Sequence, residues 1–347
     1  MNYDLIGTGS YSVVIKPFVK NTLQVIFDNS KDDKYQSNKY ISKIFNDENK
    51  GEFKKELSIL KNIIQIDDYI NFTVPILQAS TFDIKELENE IDILKKIDTP
   101  SSILYQIVFE YGGTKLDSKE TNISLSFSSF MYMMCNFFEG IQKLHQANLV
   151  HRDIKPANVL YDKTKEKLNL IDFGLSCHVN DVYNKDDTYL LGYMYMYNPP
   201  EFYVASKLFE NMQQGNNFIE SIRLSFNSLK TYTKELEIFY YEHYYRYNRN
   251  EPYNIYSYKE GFNQFYNDIE TFAITNEVDL FTKEFIFKSD VYSTAFILKS
   301  LKKHIIFENI IQREIFNELH NMTSSLNPFQ RKSITEILQF IDDNLFY

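Results

Sequence analysis

The sequence predicts an α+β fold in which a small, β-rich first lobe precedes a larger and mainly helical second lobe. In the first third, short apolar runs bounded by polar and glycine residues are typical of strands, and only two stretches have helical spacing. After Gly113, longer apolar stretches at helical spacing take over. A chain of 347 residues is long for one core, and it suits one two-lobed domain or two small domains.

The first lobe is predicted to span residues 1–112. Four stretches in it are predicted to be extended: 3–16, 38–45, 71–77 and 103–113. The first of them is predicted to form a strand, a glycine turn and a second strand. Apolar residues at helical spacing predict amphipathic helices over 52–64 and 83–97.

The second lobe is predicted to span residues 113–347. A long buried helix is expected over 128–146 and short strands over 159–162 and 168–172. Beyond Glu201 the pattern is mostly helical.

Composition narrows the class of protein. A formal net charge of -10 argues against a free-standing nucleic-acid binder. Two cysteines, Cys135 and Cys177, are too few for a disulfide framework and favour a reducing compartment. The uncharged and largely apolar run 123–138 is shorter than the roughly 20 residues that a membrane-spanning helix needs. We therefore expect an intracellular protein that binds neither nucleic acid nor a membrane.

A dense polar motif, LVHRDIKPANVLYD, occupies residues 149–162. Its polar residues follow the spacing H-R-D-x-K-x-x-N: His151, Arg152, Asp153, Lys155 and Asn158. Asp172-Phe173-Gly174 follows after one short hairpin. The two motifs in this order resemble the eukaryotic protein-kinase family. The alternative is a polar loop that solvates a turn, but ordering five such residues costs free energy unless they are paired.

The resemblance implies an ATP-dependent protein kinase with a two-lobed fold, and it assigns roles by position. Asp153 would accept or orient the proton of the substrate hydroxyl, as the catalytic base. Lys155 would neutralise charge on the transferred phosphoryl group. Asn158 and Asp172 would supply oxygen ligands to Mg²⁺, which bridges the phosphates of ATP.

The nucleotide-binding half of the pattern lies near the start of the chain. Gly7, Gly9 and Val14 match the family's glycine-rich loop, although Ser12 replaces its third glycine. An ordinary hairpin turn is the alternative interpretation. Lys43 matches the strand lysine that holds the α- and β-phosphates.

The resemblance also implies a base pocket. Val14, Ile41 and Leu160 would enclose adenine, with Ile41 tightening the pocket where the family usually has alanine. Glu110 would begin the hinge, which runs over residues 110–113, and Phe109 would guard the back of the pocket.

Two glutamates compete as the partner of Lys43. Glu56 and Glu90 both lie in predicted helices with apolar residues one turn on. We favour Glu56, because it follows the lysine strand directly, whereas Glu90 would require a long insertion. The other glutamate would be an exposed helix carboxylate.

Three further positions extend the resemblance towards the end of the chain. Glu201 closes a motif similar to the family's A-P-E, and Arg331 matches the arginine that pairs with it. Asp290 matches the aspartate that anchors the catalytic loop. Its alternative role is a helix N-cap, with Ser289 as a rival cap.

Fewer sequence features indicate the substrate specificity and the partners of the protein. A lysine at the position of Lys155 is typical of Ser/Thr kinases. Met194, however, occupies a position where those kinases usually have a threonine. Residues 203–283 look like an insertion, dense in tyrosine, that forms either a self-packed helical cap or a docking surface for a partner. The compact chain with an enlarged lobe resembles Ser/Thr kinases of large DNA viruses.

Two other functions stay open at this stage. A pseudokinase scaffold would bind partners through the insertion without turnover, as Ser12, Ile41 and Met194 would suit. A small-molecule kinase of related fold usually lacks the A-P-E element and the full catalytic-loop motif. We expect a protein kinase that uses ATP and Mg²⁺, acts on Ser or Thr, and has protein substrates.

Overall fold

The computed structural model describes residues 3–20, 22–29, 39–97, 99, 101–118, 123–181, 197–199, 201, 211, 214–215, 220–221, 224, 264–265, 267–268 and 278–345. Contacts divide the chain into two compact units. The first unit is Met1–Thr114 with Leu160–Ser176, and the second is Lys115–Val159 with Cys177–Tyr347. Met194 and most of the predicted insertion lie outside the described residues.

A six-stranded antiparallel sheet forms most of the first unit, in the order β1-β2-β4-β6-β5-β3. Its strands are β1 (Asp4–Thr8), β2 (Val13–Lys16), β3 (Gln24–Asp28), β4 (Tyr40–Phe45), β5 (Ile76–Asp83) and β6 (Ile103–Glu110). Two helices accompany the sheet, α1 (Lys50–Ile63) and α2 (Ile91–Ile97). This unit and the helices of the second confirm the α+β class.

One face of the sheet packs an apolar core against the end of α2. The core's buried members come from four strands and the segments beside them: Val13, Ile15, Val19, Ile44, Phe82, Leu87, Ile93, Ile97 and Leu104. Burial of each large aliphatic or aromatic side chain stabilises the fold by about 1.5–3 kcal/mol relative to exposure.

A buried polar network fixes the register of the central strands. The Ser42 hydroxyl donates to Gln106 Oε1 at 2.5 Å, and Gln106 Nε2 donates to the Ser80 hydroxyl at 3.0 Å and to the Val19 carbonyl at 2.9 Å. Ser42 precedes Lys43, and successive strand residues face opposite sides of a sheet. The network therefore secures β4 on the face opposite Lys43.

Two elements of the first unit differ from the sequence prediction. The strand predicted over 71–77 begins at Ile76 instead and continues to Asp83. The helix predicted over 83–97 is a short 3₁₀ turn, Ile84–Leu87, followed by α2. The residues of β5 are largely buried on both faces, so they lack the alternation that marks a strand. Asp83 ends β5 by accepting a hydrogen bond from the Lys85 amide at 3.0 Å.

The later strands are short. A three-stranded sheet has the order β11-β10-β7, and its strands are β7 (Thr114–Lys115), β10 (Val159–Asp162) and β11 (Lys167–Leu170). In the second unit β8 (Leu125–Ser126) pairs in parallel with β13 (Ile305–Ile306), and β9 (Leu149–Val150) pairs antiparallel with β12 (Cys177–His178).

Helices make up most of the described second unit. They include α3 (Phe127–Gln146), α4 (Val278–Lys302), α5 (Ile310–Ser324) and α6 (Ile334–Asp343). Ser126 caps α3 by accepting from the Ser129 amide at 3.1 Å, and Ser333 and Glu336 form a capping box on α6. None of the helices in the described part of the chain has the length and apolar composition that a bilayer crossing requires.

Candidate active site

Three charged side chains of the first unit meet at one point. Lys43 projects from β4, Glu56 from α1, and Asp172 follows β11. Lys43 Nζ lies 2.7 and 2.8 Å from the two oxygens of Glu56 and 2.8 Å from Asp172 Oδ1. The ammonium group thus joins the sheet, the helix and the segment that begins with Asp172.

Burial and charge act in opposite directions on this cluster. Burial would lower the pKa of Lys43, but the carboxylates of Glu56 and Asp172 outweigh it and raise that pKa, so the lysine stays protonated. Burial raises the pKa of the Glu56 carboxyl, and the Lys43 ammonium opposes this effect. The side chain of Asp172 is 43% exposed, which keeps its carboxylate open to solvent.

The two candidate partners of Lys43 have separate contacts. Glu56 bonds Lys43 through both oxygens. Glu90 lies just before α2, and its Oε1 accepts from the Tyr3 amide at 3.2 Å. The structure therefore brings Lys43 to Glu56 and not to Glu90.

The glycine-rich stretch forms a strand, a tight turn and a strand. Gly7 pairs opposite Val14 across β1 and β2, and Val14 pairs opposite Lys43 across β2 and β4. At the turn, the Gly9 amide donates to the Ser12 carbonyl at 2.8 Å. A Cβ on Gly9 would lie 3.5 Å from the Ser12 hydroxyl, which is an ordinary van der Waals distance.

The residues predicted to surround the base lie in the same unit. Ile41 pairs opposite Phe109 across β4 and β6, and Tyr40 pairs opposite Glu110. The Glu110 carboxylate lies 3.6 Å from Lys165 Nζ. Leu160, in β10, is buried and is 3.2 Å from the position that a Cβ on Gly112 would take.

The remaining predicted site residues lie in the second unit, on the loop after β9. Asp153 Oδ2 accepts a hydrogen bond from Lys155 Nζ at 2.9 Å and another from Asn158 Nδ2 at 2.7 Å. Asn158 Nδ2 also lies 3.0 Å from the Asp153 carbonyl oxygen. Asp153 and Asn158 are buried, so this polar loop is a paired arrangement rather than a solvated turn.

Asp290 anchors this loop from within α4. Its two oxygens accept from the His151 and Arg152 backbone amides, each at 2.9 Å. His145, at the end of α3, places Nε2 3.0 Å from Asp290 Oδ2. The alternative that Asp290 caps a helix is wrong, because α4 begins at Val278 and runs through this position. An aspartate inside a helix can still accept bonds from a neighbouring loop when its side chain is buried.

His145 was not singled out from the sequence, although it contacts this anchor. It lies six residues before His151, at the end of a strongly predicted helix. The only available signal is that a polar residue ends a helix whose following loop carries the motif. That signal is weak, because a histidine in a last turn also suits the helix dipole.

Replacing Asp290 with asparagine should lower the free energy of unfolding by roughly 1.5–3 kcal/mol, the range for hydrogen bonds to a charged group. An amide has one acceptor oxygen, so its NH₂ group would face a backbone N–H. Burial would raise the pKa of Asp290, but His145 and the His151 amide hold it below its ordinary value of 3.8. Its contribution is therefore present above pH 3.8 and is lost as the pH falls below that value. Denaturant titration at pH 7 measures the loss, and an unchanged midpoint would contradict the anchoring role.

A buried ion pair lies elsewhere in the second unit. Arg331 forms two hydrogen bonds with Glu201, and the one from Arg331 Nη2 to Glu201 Oε2 measures 3.3 Å. Arg331 also donates to the carbonyl oxygens of Lys288 and Ser325. Burial raises the pKa of the Glu201 carboxyl, and Arg331 opposes that effect. The predicted partners are thus in contact.

The predicted site residues form one charged cluster in each unit. Lys43, Glu56 and Asp172 meet in the first unit, and Asp153, Lys155 and Asn158 meet in the second. The described residues contain no group of three or more His, Cys, Asp or Glu side chains arranged to hold a metal ion. A cation bound by either cluster would therefore have few protein ligands, as Mg²⁺ at phosphate-binding sites commonly does.

Comparison with known proteins gives a consistent result. A family model described as "Protein kinase domain" matches residues 2–212. Over 58 residues the chain is 43% identical to the cell division cycle 7-related protein kinase of Homo sapiens, which covers 17% of this chain and 10% of that protein.

Two longer matches come from other organisms. Over 116 residues the chain is 36% identical to calcium-dependent protein kinase 3 of Plasmodium yoelii yoelii, covering 29% of this chain and 21% of that protein. Over 135 residues it is 30% identical to serine/threonine-protein kinase pakG of Dictyostelium discoideum, covering 35% of this chain and 11% of that protein. The matches span about a fifth or less of each relative.

Proposed function

Because the chain belongs to the protein kinase family, we propose that it transfers the γ-phosphoryl group of ATP to serine or threonine hydroxyls of protein substrates. The observation that carries this proposal is the Asp153 carboxylate, whose Oδ2 is held by Lys155 and Asn158. The loop around it is anchored by Asp290. A general base acts efficiently only when its oxygen is held within reach of the proton that it accepts.

The proposed reaction uses the second unit's loop for proton and charge handling. Asp153 accepts the proton of the substrate hydroxyl and orients its oxygen for attack. The Lys155 ammonium balances the negative charge that spreads over the transferred group. Asn158 fixes the Asp153 side chain and backbone through its Nδ2 donor.

The proposed nucleotide contacts come from the first unit. Gly7 and Gly9 would cover the phosphates, Lys43 would bind them, and Glu56 orients Lys43. The base would lie among four further residues: Val14, Ile41, Glu110 and Leu160. Lys43, a protonated and mostly buried lysine, suits phosphate oxygens because few water molecules compete with it.

Asn158 and Asp172 have the donor chemistry that Mg²⁺ requires. Asn158 uses its nitrogen to contact Asp153, which leaves its amide oxygen as the atom able to bind a hard cation. The partly exposed Asp172 offers a carboxylate oxygen. If ATP and Mg²⁺ were bound, the metal would reduce the negative charge of the phosphoryl group that is transferred.

Specificity for serine and threonine rests on two further points. Lys155 is the residue that the resemblance associates with Ser/Thr kinases. In addition, the similar protein pakG is named as a serine/threonine-protein kinase. We further propose that the boundary between the lobes lies between residues 112 and 113 and that residues 203–283 form a docking surface for a partner. We also propose that the chain resembles kinases of large DNA viruses.

The purified chain, incubated with radiolabelled ATP, Mg²⁺ and generic protein substrates, is expected to produce phosphoserine and phosphothreonine. Phosphoamino-acid analysis of the labelled substrate is the measurement. Phosphotyrosine as the main product would contradict the specificity. Nucleotide binding without transfer would favour the pseudokinase scaffold, and transfer to small metabolites alone would favour a small-molecule kinase.

A further inference from the structure

Asn169 is a buried amide whose two ends are unequally satisfied. It lies in β11 and is 1% exposed. Its Nδ2 donates to the Gly112 carbonyl in the predicted hinge at 2.8 Å. Its Oδ1 is buried and has no hydrogen-bond partner among the described residues.

This arrangement contributes little to folding on balance. The net gain from one hydrogen bond is similar to the cost of leaving a buried acceptor without a partner. A leucine of similar shape would remove the unpartnered oxygen, but it would also leave the Gly112 carbonyl without this donor. A polar side chain that a fold does not need for stability calls for another explanation, since such groups are uncommon in native interiors.

The hinge backbone lies closer to neighbouring residues than any side chain on it would allow. A Cβ on Gly112 would lie 2.1 Å from Val74 Cγ1. Gly113 has a φ of +114°, and a Cβ on it would lie 2.2 Å from the Tyr161 carbonyl oxygen. Two successive glycines therefore let the backbone reach the Asn169 amide and lie beside Leu160, the residue proposed to contact the base.

The strand that carries Asn169 is itself held in register. The Leu170 amide donates to the Phe72 carbonyl at 2.8 Å, and the Thr73 hydroxyl donates to the Leu170 carbonyl at 2.6 Å. Asn169 thus extends from a fixed strand to the hinge. The same strand ends two residues before Asp172.

We propose that Asn169 is a positioning residue that holds the Gly112 carbonyl and so sets where the hinge backbone and Leu160 receive the nucleotide base. The inference rests on the proposed function, because it assigns the base to this pocket. It predicts an effect on nucleotide affinity rather than on the chemical step or on stability.

The test compares Asn169→Leu and Asn169→Asp with the unmodified chain. We expect KM for ATP to rise roughly three- to tenfold, the equivalent of one lost hydrogen bond. We expect kcat to change less than about twofold. The melting temperature of Asn169→Leu should change little, because losing the donor to Gly112 offsets removing the buried, unpartnered oxygen. In Asn169→Asp a carboxylate oxygen faces the Gly112 carbonyl, so its KM should rise at least as much.

Thr73→Val is the matched control, because it removes a buried hydrogen bond to the same strand without touching Gly112. It should lower the melting temperature and leave KM unchanged. An equal rise of KM in this control would overturn the proposal, since loosening of β11 would then suffice. An unchanged KM in both Asn169 variants would also overturn it, as would a fall of kcat and melting temperature together without a change of KM.

Hydrogen exchange of residues 110–114 separates this inference from the proposed function. Faster exchange there in Asn169→Leu would support the positioning role even if the unmodified chain transferred no phosphate. Unchanged exchange together with normal transfer by the unmodified chain would remove the inference and leave the proposed function standing.

Discussion

Replacement of Asp153 by asparagine is expected to lower kcat at least a hundredfold, as loss of a general base typically does by about 10²–10⁴. Asparagine has the same shape, and its amide oxygen can still accept from Asn158 Nδ2, which lies 2.7 Å from Asp153 Oδ2. The loop should therefore stay folded while the proton acceptor is lost. Initial rates of phosphate transfer from ATP to a protein substrate measure the effect.

The matched control for Asp153 is Asp92→Asn. Asp92 has a 93% exposed side chain and a weak contact with Lys95 at 3.6 Å, so removing its charge tests the general effect of losing one carboxylate. We expect this control to keep the rate of the unmodified chain. Near-normal turnover of Asp153→Asn would refute the assignment of the base.

Replacement of Arg331 by leucine is expected to lower the free energy of unfolding by about 3–5 kcal/mol. The side chains of Arg331 and Glu201 are 0% and 1% exposed, so the variant leaves a buried carboxylate without its cation. It also removes donors from the carbonyl oxygens of Ser325 and Lys288. Chemical denaturation monitored by circular dichroism measures the loss.

The dependence of this loss on pH has a definite sign. Burial already raises the pKa of the Glu201 carboxyl, and Arg331 opposes that rise, so removing Arg331 raises this pKa further. A group whose folded pKa is raised stabilises the fold less as the pH rises through that pKa. The deficit of Arg331→Leu should therefore be larger at pH 8 than at pH 5.5.

Two companion variants test the explanation for Arg331. Adding Glu201→Leu to Arg331→Leu should recover part of the lost stability, because no buried charge then remains. Lys332→Leu removes the neighbouring exposed ion pair with Glu336 and should leave the free energy of unfolding nearly unchanged. A double variant less stable than Arg331→Leu would contradict the unpaired-charge explanation.

Local sequence patterns were sufficient for some elements and insufficient for others. The α+β class follows from changes in apolar spacing, and α3 follows from a long apolar run at helical spacing. The failures at 71–77 and 83–97 have different causes. Burial of β5 on both faces hides its period, and Leu87, Ile93 and Ile97 share a core without belonging to one helix.

Sequence spacing also limited what could be predicted of the site. It placed His151 and Asp153 in one loop, whereas the anchoring role of Asp290, 139 residues from His151, came only from the resemblance to the kinase family. The choice of Glu56 over Glu90 depended on the order of elements, which the chain shows. The contact of Asn169 could not be predicted from the sequence, because its partner is a backbone carbonyl and every residue has one.

The division of the chain has a consequence for building hybrid proteins. Leu160–Ser176 belongs with Met1–Thr114, although Lys115–Val159 separates them in sequence. A fragment ending near Gly113 would omit β11, and so the partners of Phe72 and Thr73 and the carboxylate of Asp172. Exchange of the first unit with a relative therefore needs three junctions, after Thr114, Val159 and Ser176, so that the transplanted piece is discontinuous in the gene.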